Sequence, residues 1–133
     1  MTIKLNLKLE PENNLHKYIP EHLVKEAGIT DNAEDLVIFA KCLFNAGAEW
    51  QGSEIEAVFE GRQPDKEIAN ICEETIFNMV FDFATNGLQI ESTKNARSLA
   101  MGCFFAGKRY VILTFAELCE KVTEQPFWKE YVS

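Results

Sequence analysis

The feature that most constrains the fold is a helical repeat of apolar residues through residues 66–85, which lasts nearly five turns. Its members recur three or four positions apart: Ile68, Ile71, Cys72, Ile76, Met79, Val80 and Phe83. Such spacing is typical of an amphipathic helix. Pro64 and Asp65 suit the start of a helix, and Asn86-Gly87 suits its end. The sequence therefore predicts its longest helix here.

Shorter helices are predicted on both sides of this repeat. Residues 31–47 open with the capping-box pattern Asp31-Asn32-Ala33-Glu34, and Gly47 is expected to end that helix. A second box at residues 53–56 predicts a short helix that ends at Gly61. A further short helix is predicted between Pro20 and Gly28.

Two more helices are predicted in the C-terminal third. Residues 94–106 carry an apolar face, and Gly107 is expected to end that helix. A third box at residues 114–117 predicts a last helix, which Pro126 breaks. Beyond it, Phe127, Trp128 and Tyr131 are expected to pack back on the rest of the chain.

Three segments favour β-structure. Residues 2–10 alternate strictly between polar and apolar side chains, residues 88–91 suit a short strand, and residues 110–113 form a continuous apolar run. The second and third segments flank the helix 94–106, so they predict a right-handed βαβ unit. The predicted fold is a single α+β domain over 1–133, with about five helices and a two- or three-stranded sheet that includes this C-terminal unit.

The cysteines are predicted to be core residues. Cys42, Cys72, Cys103 and Cys119 form no Cys-x-x-Cys pair, and each falls on the apolar stripe of a predicted helix. Buried free thiols behave as small hydrophobes, so we expect neither disulfides nor a redox role. No continuous apolar run suggests a membrane span or a secretory signal, and the expected compartment is the cytoplasm.

One segment imitates a phosphate-binding loop. Residues 102–108 satisfy G-x-x-x-x-G-K, but Arg109 replaces the hydroxyl residue that would hold magnesium. The predicted helix precedes this segment and the predicted strand follows it, which is the reverse of the order that presents a helix N-terminus to phosphate. Lys108 and Arg109 are instead expected at a helix C-terminus, where cations are favoured.

No catalytic or metal-binding group emerges from the pattern. The two histidines, His16 and His22, are six positions apart, so they do not share one helical face at a spacing of four, and no cysteine is near them. Asp82, between Phe81 and Phe83, is expected at an exposed helix edge. The sequence predicts no catalytic residue, no metal and no cofactor.

The net charge of −8 is concentrated in the middle of the chain. Residues 1–30 are neutral, residues 31–91 hold 13 acids and three bases for a net −10, and residues 92–133 carry +2. An acidic surface disfavours nucleic acid and anionic membranes, both of which attract basic patches. It favours a basic protein partner, or serves solubility alone.

The leading hypothesis is a non-catalytic protein-binding module, such as an acidic inhibitor, immunity-type or regulatory protein, with a basic protein as its partner. Mimicry of nucleic acid is one version of this idea. The predicted contact residues are acidic, apart from one tryptophan that serves either as an interface anchor or as a lid on the core: Trp50, Glu54, Glu56, Glu60, Glu73 and Glu74.

The alternative hypothesis is a small nucleotide-binding domain or enzyme. Its site would lie at the strand ends of the βαβ unit, near Glu91, Ser92, Thr93 and Thr114.

Overall fold

The computed structural model describes residues 28–61 and 65–123, and long helices account for most of them. Helix α1 covers Ala33–Phe59, α2 covers Lys66–Leu88 and α3 covers Lys94–Thr123. Neither of the described ranges contains a β-strand.

Side-chain caps fix where each helix begins. The Asn32 side chain accepts hydrogen bonds from the backbone N–H groups of Glu34 and Asp35, at 3.0 and 3.3 Å. Asp65 caps α2, and the Thr93 hydroxyl oxygen accepts from the N–H of Ala96 at 3.1 Å. These bonds satisfy donors that the first turn of a helix leaves free.

The helices run up, down and up. Phe39 near the start of α1 meets Phe81 near the end of α2, with ring centroids 6.3 Å apart, so α1 and α2 are antiparallel. Glu73 and Asn78 of α2 contact Lys108 and Arg97 of α3 respectively, so α2 and α3 are also antiparallel.

Most of the core lies between α1 and α3, where the side chains are small or aromatic. Five large side chains are almost completely buried: Phe39, Leu43, Phe44, Cys103 and Val111. From α2, the buried residues are Phe77, Phe81, Ala84 and Thr85. Thr85 satisfies its hydroxyl by donating to the backbone oxygen of Phe81 at 2.8 Å.

Two glycines let the backbones of α1 and α3 touch. A Cβ atom at Gly47 would lie 1.9 Å from the backbone oxygen of Phe104, and one at Gly107 would lie 2.0 Å from the backbone oxygen of Phe44. No side chain fits at either position, so these glycines set the closest approach of the two helices.

The predicted α+β class, with about five helices and a small sheet, is wrong for the described residues. Gly47 does not end a helix, because it is needed at the contact with α3, and Ser53 lies inside α1. The Ser53 hydroxyl donates to the backbone oxygen of Glu49 at 3.0 Å instead of capping a new helix. The predicted helices 31–47 and 53–61 are therefore one helix, α1.

The predicted βαβ unit is replaced by the end of α2, a short connection and α3. Leu88 is the last residue of α2, and Gln89 follows it in the left-handed conformation, with φ 55°. Gly107 and the run 110–113 lie inside α3, where Val111 is buried whereas Ile112 and Leu113 are exposed. The Thr114 hydroxyl donates to the backbone oxygen of Tyr110 at 2.7 Å, as a residue within a helix does.

Some sequence predictions fall outside the described residues. They are the strand at 2–10, the short helix before Gly28, both histidines and the aromatic residues at 127–131. The long helix predicted at 66–85 is confirmed and extends to Leu88.

One part of α3, Lys94–Glu117, is long and apolar enough to cross a membrane when judged by length and composition alone. Core helices pass the same test, and here Ala96, Ala100 and Val111 are completely buried in the protein core. One such helix is weak evidence for a membrane span, and the absence of a membrane partner stays a prediction.

Candidate functional site

The outer side of α2 presents a row of exposed residues that are apolar except for one threonine. We call it the outer stripe: Ile68, Ile71, Cys72, Thr75, Met79 and Phe83. The side chains of Ile68, Ile71, Met79 and Phe83 are 61%, 63%, 66% and 76% exposed. Large apolar side chains that recur along one helix face and stay in contact with solvent mark a surface for interaction.

A line of carboxylates runs beside this stripe. Glu67, Glu74 and Asp82 are all exposed, and each directly precedes a member of the outer stripe. Neighbouring residues on a helix are separated by about 100° around its axis, so the three carboxylates follow one edge of the stripe. We call this line the carboxylate edge. The exposure of Asp82 agrees with the sequence prediction.

On its inner side, α2 is held to α3 by charged and aromatic side chains. The Lys108 ammonium group contacts a Glu73 carboxylate oxygen at 2.5 Å, with both side chains about one-fifth exposed. The Arg97 guanidinium group donates to Asn78 at 2.7 Å and lies 5.3 Å from the centre of the Phe77 ring. These contacts turn the opposite side of α2, which carries the outer stripe, toward solvent.

A groove of about 410 Å³ lies between α2 and α3. Phe77 and Phe104 lie at its base, where their rings meet edge to face with centroids 5.6 Å apart. Phe105 lines the wall, and the Lys108 ammonium group lies 5.4 Å from the centre of its ring. Glu73, Lys108 and Arg97 line the groove and already contact one another or neighbouring side chains, and these contacts join α2 and α3. Glu74 also lines this groove.

The predicted contact residues are divided between the C-terminal part of α1 and α2. Trp50 lies within α1 and not in a loop, and it is half-buried against the core. Glu54 and Glu56 are two positions apart on one helix, so they point to different sides, with Glu54 half-buried and Glu56 exposed. Glu60 is exposed at the end of α1.

The two remaining predicted residues are neighbours on α2 but differ in surroundings. Glu73 pairs with Lys108, so its charge is already balanced within the protein. Glu74 is exposed and belongs to the carboxylate edge. A role in binding a partner stays a prediction for the whole set, and on α2 exposed acidic and apolar residues lie side by side along several turns.

The residues of the alternative enzyme site are far apart. Glu91 and Ser92 are exposed in the connection between α2 and α3, and Thr93 caps α3. Thr114 is 21 positions farther along the same helix, a rise of about 31 Å. The strand ends that were expected to bring these residues together are not present in the described part of the chain.

The segment that imitates a phosphate-binding loop is an uninterrupted part of α3. Its backbone N–H groups bond within the helix, so they cannot surround a phosphate. Lys108 and Arg109 lie in the middle of α3, and the expectation that they end a helix is wrong.

The prediction that all the cysteines are buried holds for only part of the set. Cys103 is completely buried, and this burial raises the pKa of its thiol to about 12. Cys42 is half-buried, and burial also raises the pKa of its thiol. Cys72 and Cys119 are exposed. Within residues 28–61 and 65–123, no three histidine, cysteine or acidic residues come together as a metal site.

The sequence pattern identified most residues of the outer stripe but predicted that they face the core. The periodic residues that suggested a core face include Ile68, Ile71, Met79 and Phe83, which are exposed. The signal that could have separated the two faces is Phe77 with Phe81 and Ala84, a second apolar row at helical spacing.

Comparison of the chain with protein-family models, curated proteins and solved structures finds no match.

Proposed function

We propose that this chain is a non-catalytic protein-binding module that contacts a basic partner protein, in the manner of an inhibitor, an immunity-type protein or a regulatory protein. The observation that supports this proposal is the outer stripe of α2 with the carboxylate edge beside it. Four large apolar side chains along 16 residues of one helix, each more than half exposed, are more than scattered surface hydrophobes.

The charge distribution favours a basic partner. Residues 31–91 carry a net charge of −10, and their exposed carboxylates include Glu56, Glu67, Glu74 and Asp82. Two of the basic side chains of α3, Arg97 and Lys108, are directed at α2 and engaged there. Complementary charge raises the rate of encounter with a basic surface and disfavours an acidic one.

Affinity capture from an extract of the producing organism tests this proposal when it is repeated at low and high salt. Partners held through exposed charge should be recovered at low salt and lost at high salt, because salt screens exposed charges. The double variant Glu74→Lys with Asp82→Lys should lose the same partners.

The matched control reverses two exposed carboxylates away from α2, Glu91→Lys and Glu117→Lys. Both double variants change the net charge equally, so a general electrostatic effect would alter them alike. If the two variants capture the same partners as the unaltered protein, binding through the acidic side of α2 is wrong.

A further inference from the structure

We infer that the outer stripe of α2 binds an amphipathic helix that carries lysine or arginine along one edge of its own apolar face. This inference rests on the proposed function, because it specifies which element of the basic partner is bound. It follows from the length of the stripe, the spacing of its residues and the position of its charges.

The dimensions of the stripe match one helix. From Ile68 to Phe83 it rises about 22 Å along α2, the length of roughly four helical turns. Ile68, Ile71, Thr75 and Met79 are separated by three, four and four positions, the spacing with which one helix packs its side chains between those of another. A partner helix laid along α2 would therefore contact the whole stripe.

The carboxylates lie along only one of its long edges. Glu67, Glu74 and Asp82 are spaced seven and eight positions apart, or about 10 to 12 Å along the axis. The other edge is apolar, with Ile76 and Val80 half-buried beside the stripe. A bound helix would thus need apolar residues at its centre and basic residues toward one side, because an uncharged or acidic helix would leave the carboxylates without a counter-charge.

This one-sided charge also disfavours a second copy of the chain as the occupant. A two-fold axis that makes two α2 helices antiparallel would place the carboxylate edges side by side. An axis that makes them parallel would place each carboxylate edge against the apolar edge that contains Ile76 and Val80. Both arrangements cost free energy, through repulsion in the first and desolvation of charge in the second.

The test uses the full chain and two designed 20-residue helical peptides. Both peptides have leucine at the central positions of one face, and one edge of that face carries lysine in the first peptide and glutamate in the second. Fluorescence anisotropy should show the lysine peptide binding at least about tenfold more tightly, with a difference that shrinks as salt is raised.

Two double variants locate the binding surface. Met79→Gln with Phe83→Gln should weaken the lysine peptide about tenfold, since these two large apolar side chains of the stripe are 66% and 76% exposed and would be covered by the bound helix. The matched control, Val58→Gln with Leu113→Gln, changes two exposed apolar residues on α1 and α3 and should leave binding unaltered.

The cysteines provide an independent measurement in the same molecule. Cys72 lies in the outer stripe and Cys119 lies on α3, and both are exposed. Saturating lysine peptide should slow alkylation of Cys72 at least fivefold, because the helix covers it, and should leave Cys119 alkylation unchanged.

The inference is overturned if the glutamate peptide binds as well as the lysine peptide, if both double variants behave alike, or if Cys72 is not protected. Self-association of the chain that depends on Met79 and Phe83 would also overturn it, because a second copy would then be the occupant. If the peptides fail while partner capture still depends on Glu74 and Asp82, the proposed function stands and only the helical occupant is wrong.

Discussion

Replacing Gly107 by alanine should destabilise this protein, whereas the same replacement at Gly102 on the same helix should stabilise it. Gly107 faces α1, where a Cβ atom would lie 2.0 Å from the backbone oxygen of Phe44 and 2.9 Å from the backbone nitrogen of Ala48. At Gly102 and at Gly87, a Cβ atom would meet nothing within 4 Å. The three positions therefore separate the effect of the contact from the effect of alanine on helix formation.

The size of the destabilisation follows from how far the backbones of α1 and α3 must separate. Ordinary contacts of a Cβ atom begin near 3.4 Å, so the 2.0 Å separation at Gly107 must grow by 1.4 Å. The clashing atoms belong to helix backbone, so α1 and α3 must move apart as whole helices. A gap of 0.5–1 Å already removes about a quarter to a half of the attraction between packed atoms.

This loss falls on the most buried part of the core, around Phe44, Leu43 and Cys103. Overpacking in a core costs about 1–3 kcal/mol when side chains can adjust, and backbone adjusts less readily. We therefore expect Gly107→Ala to lower the free energy of unfolding by about 2–4 kcal/mol. Replacing glycine by alanine inside a helix stabilises the helix by about 1 kcal/mol. This gain is too small to offset the clash at Gly107, but at Gly102, where there is no clash, it is the whole expected effect.

Urea unfolding followed by circular dichroism measures these differences. Gly47→Ala should resemble Gly107→Ala, and combining the two should cost less than their sum, because the first substitution already opens the shared contact. If Gly107→Ala is as stable as Gly102→Ala, the backbones of α1 and α3 do not touch and this account of the fold is refuted.

Substitutions at three further positions test smaller features. Gln89→Gly should raise the free energy of unfolding by up to about 1 kcal/mol, since the φ of 55° at Gln89 is strained for a residue with a Cβ atom; a loss of stability in urea would contradict this. Asn32→Ala should lower it by about 1 kcal/mol through the lost cap of α1, while Asn32→Asp should retain most of the stability. Burial raises the pKa of Cys103 from 9.0 to about 12, so the folded protein holds this proton where the unfolded chain loses it. The resulting stability is complete below pH 9 and declines as the pH rises toward 12. In Cys103→Ala the free energy of unfolding should decline less steeply over this pH range than in the unaltered protein. Equal slopes in the two proteins would refute this.

Local sequence signals located the starts of α1 and α2, whereas the boxes at 53–56 and 114–117 predicted helix starts inside α1 and α3. Asn32 and Asp65 are the N-caps of α1 and α2, and both belong to patterns that predicted a start there. These predictions succeed because a cap depends on residues within one turn of itself. The periodicity of residues 66–85 is reliable for the same reason, since it requires nothing outside the helix.

The interior of α1 and α3 could not be predicted in this way. Gly47 and Gly107 resemble helix terminators, and a residue's own neighbours do not reveal that each is required by a helix far away in the sequence. The run 110–113 has the composition of a buried strand, yet Val111 faces the core while Ile112 and Leu113 face outward. A short apolar run has no period of its own, so the packing of the neighbouring helix decides its conformation.

The same limit explains why the exposed apolar row of α2 was expected to face the core. An apolar row predicts that one side of a helix is covered, but it does not say by what, and α2 has two such rows. Phe77 and Phe81 are covered by α1 and α3, so their burial contributes to folding. Burying a side chain such as Met79 or Phe83 contributes up to about 1.5–3 kcal/mol of favourable free energy. Folding of the described helices gains little of this free energy, because both side chains remain more than 60% exposed. That free energy is available to an interaction. Polar replacements on the outer stripe should therefore cost little stability and much binding, which is the opposite of what they would do at Phe77.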